Sequence, residues 1–236
     1  MRIHQPTEGQ VARSGKFTSL RLCALLVVAV VVHAAAGAAA GPSEIERYVR
    51  ALESSYHDVR TLRAEFTQTY QWGARMRVER GTVDFARGGL MRWDYREPTP
   101  KLFLATGKDL ILYIPAENQV TRSSVKSSED IRVPFRLLLS RLNLRKVFST
   151  IEFADGALDA QPGNRVLRAI PKRGEEAYSE VLMEVTPNLD IRRLVVFYTD
   201  RSRMEFVFNR IERNVALNPT LFQFTPPSGA EIIKQP

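Results

Sequence analysis

Between Thr61 and Ser123 the chain reverses direction every few residues, and this spacing constrains the fold more than any other feature. Leu62, Ala64, Phe66 and Gln68 alternate with Arg63, Glu65, Thr67 and Thr69, the period-two rhythm of a strand. Further runs follow at Val78–Phe85, Leu90–Tyr95, Lys101–Thr106, Leu110–Pro115 and Gln119–Ser123. Turn signals at Gly88-Gly89, Pro98-Thr99-Pro100, Gly107-Lys108-Asp109 and Glu117-Asn118 separate them. A parallel crossover takes about a dozen residues or more, so strands joined this closely must run antiparallel. Strand patterns resume near Ile151 and continue through Val166–Ile170, Glu180–Thr186, Ile191–Tyr198 and Met204–Ile211. The expectation is a mainly β fold of about eleven strands in one domain, residues 41–236, with few helices.

Two helical segments interrupt the strands. Ser43 can cap a helix and Glu46 stands three residues on, a capping box. Ile45, Tyr48, Val49, Leu52 and Tyr56 then form one apolar stripe at helical spacing. In the middle of the chain, Pro134 to Leu142 reads as a short helix with proline in its first turn. Some strands are apolar on both faces: in Leu102-Phe103-Leu104-Ala105 and Leu110-Ile111-Leu112-Tyr113-Ile114 neither parity is polar. A sheet with one wet face alternates, so both sides are covered here, by packing or around an apolar cavity.

The first 40 residues read as an export signal. Arg13, Lys16 and Arg21 precede an apolar run from Leu22 to Val32, and the small-residue stretch Ala34–Gly41 follows. Ala38-Ala39-Ala40 suits cleavage before Gly41, with Ala34-Ala35-Ala36 before Gly37 as the alternative. The apolar run falls short of the ~20 residues a membrane span needs. Cys23 is a poor lipobox cysteine, because Leu22 stands where a small residue is wanted and the apolar run comes after it.

The composition excludes several chemistries. Cys23 is the single cysteine, and of three histidines only His57 lies beyond the leader. A chain starting at Gly41 therefore has no disulfide, thiolate or histidine-rich metal site. No G-x-S-x-G, H-E-x-x-H, P-loop or G-x-G-x-x-G occurs. A secreted lipase or esterase lacks any nucleophile–base set, so no enzyme and no cofactor is expected. The net charge of +8 does not point to nucleic acid, since the arginines are scattered over strands and turns rather than gathered on one stripe.

Several motifs then occur in a telling order. Ala64-Glu65-Phe66-Thr67-Gln68-Thr69 follows the first helix, and Gly81-Thr82-Val83-Asp84-Phe85-Ala86-Arg87 comes next. Met91-Arg92-Trp93-Asp94-Tyr95, Gly107 to Pro115, and the close Phe222-Gln223-Phe224-Thr225-Pro226-Pro227-Ser228-Gly229 complete the series. In this order they resemble the LolA-type outer-membrane lipoprotein carriers across nearly all of residues 43–233. Gly88 stands where the family has a proline, and Ile111 where it has a tryptophan.

The resemblance implies an open antiparallel half-barrel with helices over an apolar cavity. It implies a monomeric periplasmic chaperone, cleaved near Ala40, that carries lipoproteins by their acyl chains from inner to outer membrane. Its implied partners are the lipoprotein cargo, an inner-membrane lipoprotein-releasing ABC transporter and an outer-membrane receptor of the LolB type, with no nucleic acid. The short polar connection Arg96-Glu97-Pro98-Thr99-Pro100 differs from the extended apolar loop of LolB, which favours the soluble shuttle. Phe66, Met91, Trp93, Tyr95, Leu104 and Leu112 are the expected cavity residues, against ordinary core as the competing reading. Phe135, Leu138 and Leu142 are the expected underside of a lid, and Arg87 the latch that hydrogen-bonds lid carbonyls. The alternative functions are a lipid-sensing regulatory module or a carrier of another lipid.

Overall fold

In the computed structural model, which describes residues 41–124, 143–172 and 177–235, Ser43 caps the first helix as its sequence requires. The Ser43 hydroxyl accepts the Glu46 N–H at 3.3 Å and the Glu46 carboxylate accepts the Ser43 N–H at 2.9 Å. Helix α1 runs over Glu44–His57 and buries Val49, Leu52 and Tyr56, the stripe its spacing predicts.

The strands follow as β1 (Thr61–Trp72), β2 (Arg75–Ala86), β3 (Leu90–Glu97), β4 (Lys101–Thr106), β5 (Asp109–Ile114) and β6 (Gln119–Ser124). After a single-turn helix α2 (Leu144–Val147) come β7 (Phe148–Phe153), β8 (Arg165–Pro171), β9 (Tyr178–Val185), β10 (Ile191–Tyr198), β11 (Arg203–Arg213) and β12 (Glu231–Lys234). They form one open sheet in the order β12-β6-β5-β4-β3-β2-β1-β11-β10-β9-β8-β7. The predicted mid-chain helix, with Phe135, Leu138 and Leu142, lies outside the described residues.

The sheet departs from the sequence expectation in one respect. It has twelve strands and is mixed, because β12 pairs parallel to β6 with Ile232 opposite Val120. After β11 the chain crosses the sheet through residues 214–230, a connection long enough for a parallel return. Glu231–Lys234 is too short and too charged to announce itself as a strand.

Alternation along the strands gives the sheet two apolar faces. On the helix face, α1 packs over a large cluster that includes Phe66, Phe85, Met91, Trp93, Met183 and Phe206. On the opposite face, Leu102, Leu104, Ile111 and Val120 lie under the C-terminal tail, with Phe222 buried and Leu221 and Phe224 beside it. The double apolarity of β4 and β5 is thus plain packing on that side rather than cavity lining. Further along the same face, the segment 154–164 covers Val166, Leu182 and Val195. Glu184 is fully buried there and accepts the Gln161 N–H at 2.9 Å and the Asn164 side-chain amide at 2.6 Å. Arg193 Nε lies 3.0 Å from its other oxygen, off the line of a good hydrogen bond.

Candidate functional site

The middle of the helix face is aromatic. Register places Trp93 beside Val83 and Phe103, and Phe66 beside Gly81 and Phe208. The Phe66 ring meets Trp93 edge-on at 4.8 Å and Tyr95 at 4.9 Å, while Trp93 touches Phe206 at 5.4 Å and Phe85 at 5.8 Å. Edge-to-face pairs of this kind contribute about 0.5–1.5 kcal/mol each beyond the area they bury. Gly81 makes the arrangement fit. A Cβ there would stand 1.9 Å from the Asp94 carbonyl oxygen and 3.0 Å from the Phe66 ring, so no other residue admits this approach of β3 to β2.

The strand Met91-Arg92-Trp93-Asp94-Tyr95 divides its chemistry between the faces. Met91, Trp93 and Tyr95 point to the helix face and are buried. Arg92 and Asp94 form a two-pronged ion pair at 2.7 and 2.8 Å on the other, and Arg92 also donates to the Leu221 carbonyl, which holds the tail. Of the six expected cavity residues, Phe66, Met91, Trp93 and Tyr95 come together, and Leu112 packs against the same cluster. Leu104 is set apart, under the tail on the opposite face, because its parity in β4 is that of Leu102 and not of Phe103.

A buried polar chain borders the aromatic cluster. The Tyr95 hydroxyl donates to Gln68 Oε1 at 2.7 Å, Gln68 Nε2 donates to Glu79 at 3.3 Å, and Lys101 Nζ donates to Glu79 at 2.6 Å. Glu79 and Gln68 are almost wholly buried, and the Lys101 ammonium sits 4.3 Å from the centre of the Tyr95 ring. Each polar group has a partner, which burial requires. Sequence reasoning noted Gln68 but missed Glu79 and Lys101, because the cross-strand pairing that brings them to Gln68 leaves no local signal.

Arginines hold the C-terminal end of α1. Arg87, just past β2, donates from Nε to the Val59 carbonyl at 3.0 Å and from Nη2 to the His57 carbonyl, while its own N–H bonds the Arg60 carbonyl at 3.0 Å. The described partners of the expected latch are thus the carbonyls that follow and end α1; the lid it was matched with lies outside the described residues. Arg213, which sequence reasoning did not single out, reaches the Ser55 carbonyl at 3.1 Å, Leu189 at 2.6 Å and Asp190 at 2.7 Å. Its guanidinium lies 4.5 Å from the Tyr56 ring centre. Both cations also complement the negative end of the helix dipole. Burial pushes the Tyr56 phenol above its ordinary pKa, against the opposing hydrogen bond its oxygen accepts from Ile191 N–H at 3.0 Å. Tyr56, Leu62, Phe85, Ile191, Phe208 and Ile211 line a small void of about 10 Å³ between helix and sheet.

The helix face is thus apolar, aromatic and closely packed, and relatives of the chain bear names that concern lipoproteins. It is 30% identical over 179 residues to an outer-membrane lipoprotein carrier protein of Dechloromonas aromatica, covering 75% of this chain and 82% of that one. It is 28% identical to the protein of that name from Nitrosomonas europaea, over 79% of this chain and 88% of the other. Among solved structures, an uncharacterized conserved protein from Thermus thermophilus shares the fold, with a TM-score of 0.52, 10% identity, and coverage of 82% of this chain and all of that one. A model of the outer membrane lipoprotein carrier protein LolA matches residues 57–225, from the end of α1 to the tail over β4 and β5. That span takes in the aromatic face, the polar chain and both arginine clamps, and it makes the chain a member of the LolA family.

Proposed function

We propose that the protein is exported by its first 40 residues and works in the periplasm, carrying lipoproteins to the outer membrane with their acyl chains held on the helix face. One observation carries this reading most. The aromatic residues share one continuous apolar cluster with a helix whose end is tied to the sheet by arginine hydrogen bonds to carbonyls. Such bonds are worth ~1.5–3 kcal/mol each, the scale of a closure that opens and shuts. A lipoprotein anchor of roughly 45 chain carbons favours a membrane over water by some 35 kcal/mol at ~0.8 kcal/mol per carbon. No site matches that within the practical ceiling of about 20 kcal/mol, so the carrier is loaded by an energised extractor and shields the chains loosely. An inner-membrane ABC transporter and an outer-membrane receptor of the LolB type are the partners this scheme requires.

Phe66, Met91, Trp93, Tyr95 and Leu112 are the residues assigned to the acyl chains, with Phe85, Phe206 and Phe208 added from their packing. Leu104 is not among them. The test is native mass spectrometry of the protein taken from its own periplasm. A lipoprotein adduct is the expected result. Free phospholipid alone would make it a carrier of another lipid, and a bare protein that also fails to take up an apolar dye would end the proposal.

A further inference from the structure

The β1–β2 hairpin runs on past its neighbour β3, while on its other edge β11 accompanies β1 as far as Gln71 opposite Arg203. Pairing of β2 with β3 begins only at Arg80 opposite Glu97, while β1 and β2 stay paired out to Trp72 opposite Arg75. Gly73 and Ala74 close the turn, with φ of +57° at Gly73, the pattern of a type II′ hairpin. All residues from 71 to 77 are exposed. At this tip Trp72 is 53% and Met76 68% exposed, an unusual pair to leave in water on one turn. They point to opposite sides of the hairpin, since Met76 faces the parity of Gln71 and Trp72 that of Arg75. The tip is therefore apolar on both sides, which suits end-on insertion better than docking flat on a partner.

Within the hairpin tip itself the charge has one sign. Residues 69–78 contain Arg75 and Arg77 and no acidic residue. Arg75 lies over the Trp72 ring at 5.8 Å and makes no ion pair among the described residues. Arg77 stands 3.8 Å from the buried Glu79 but keeps a 62% exposed side chain. Tryptophan prefers the water–hydrocarbon interface of a bilayer, and arginine pairs with lipid phosphate. We propose that the hairpin tip is a membrane-contact site, inserting Trp72 and Met76 into the interface of a bilayer rich in anionic phospholipid while Arg75 and Arg77 bind its phosphates. The site does not depend on what the helix face carries.

The two tryptophans make it testable, because Trp72 is exposed and Trp93 fully buried. The purified protein is mixed with vesicles of phosphatidylcholine alone or with about a third phosphatidylglycerol, each carrying bromine-labelled acyl chains that quench nearby tryptophan. Quenching on the anionic vesicles, weakening as salt is raised, is expected. Arg75→Gln with Arg77→Gln should lower vesicle affinity about twenty-five-fold, roughly fivefold for each arginine. Trp72→Phe should abolish the quenching; any that persists in this variant reports lipid reaching Trp93 and bears on the carrier reading instead. Both substitutions lie in solvent, so an unchanged melting temperature is the folding control. No quenching of Trp72 on anionic vesicles, or quenching that is equal on neutral ones and indifferent to the arginines, overturns the proposal.

Discussion

The two faces of β4 and β5 are both apolar, yet they are closed by different means. The tail face is lined by Leu102, Leu104, Ile111 and Val120 and covered by a segment strung between two strands of the same sheet, β11 and β12. Lifting that cover requires tearing β12 from β6. The helix face is lined by rings and methionines, and its described cover, α1, joins the sheet through one covalent end only, the short link to β1. Its other ties are the buried stripe of Val49, Leu52 and Tyr56 and a set of side-chain bonds, among them those of Arg87, Arg213, Tyr56 and Glu53, which accepts the Leu144 N–H at 2.7 Å. A cover anchored by strands at both ends is permanent structure. One held by side-chain bonds and a short apolar stripe is released at ~1.5–3 kcal/mol per charged bond and a similar cost for each apolar side chain it exposes, without breaking any strand pairing.

The largest break in this comparison is expected from Gly81→Ala. The new methyl group meets backbone rather than a yielding side chain, so β3 must shift against β2. Loss of at least about 3 kcal/mol is expected in urea unfolding, with near-ultraviolet dichroism of the aromatic cluster altered first. A loss below 1 kcal/mol would show that β2 and β3 are more loosely paired than described.

A matched pair of truncations sharpens the contrast. Trp93→Ala and Phe222→Ala should each cost about 3–5 kcal/mol, the usual range for large buried rings. Only Trp93→Ala should also weaken binding of an apolar fluorophore per folded molecule, because Phe222 lies on the permanently covered side. If both variants bind dye as the parent does, Trp93 is core and nothing more.

The smallest effect belongs to the clamp. Arg87→Leu removes two charged hydrogen bonds from the end of α1. It should tighten cargo retention by about ten- to a hundredfold, since cargo competes with helix closure. Arg87→Lys should fall between, keeping the charge and losing the fork. The measurement is lipoprotein release from spheroplasts followed by transfer to outer-membrane vesicles, with a block expected at the second step. Unchanged transfer would reduce Arg87 to a structural tie.

Much of this was legible before any coordinates. The capping box, the helix stripe and the first eleven strands follow from local rules, because Ser43, Glu46 and the alternating runs act within a few residues. Met91, Trp93 and Tyr95 sharing a face follows from period two alone. What sequence could not supply is pairing across the chain. Nothing near Arg213 announces that it meets Ser55, and Glu79 and Lys101 read as ordinary surface charges until register brings them to Gln68. Leu104 went to the wrong company for the same reason. Both parities of β4 are apolar, so the pattern is silent on which one meets the helix, and the covering tail arrives from more than a hundred residues away.

The sheet order also dictates a schedule. β1 lies between β2, its neighbour in sequence, and β11, with Phe66 opposite Phe208 roughly 140 residues later. A chain delivered N-terminus first can build β1 to β6 as successive hairpins, but β1 then keeps a long bare edge until the last third of the polypeptide has emerged. Closure of that seam carries the loop entropy of most of the protein, which places folding among the slow, high-contact-order reactions of milliseconds to seconds. Until it closes, the bare edge is a template for pairing with another chain. For this molecule the hazard of self-association is therefore greatest during synthesis, before the finished sheet exists.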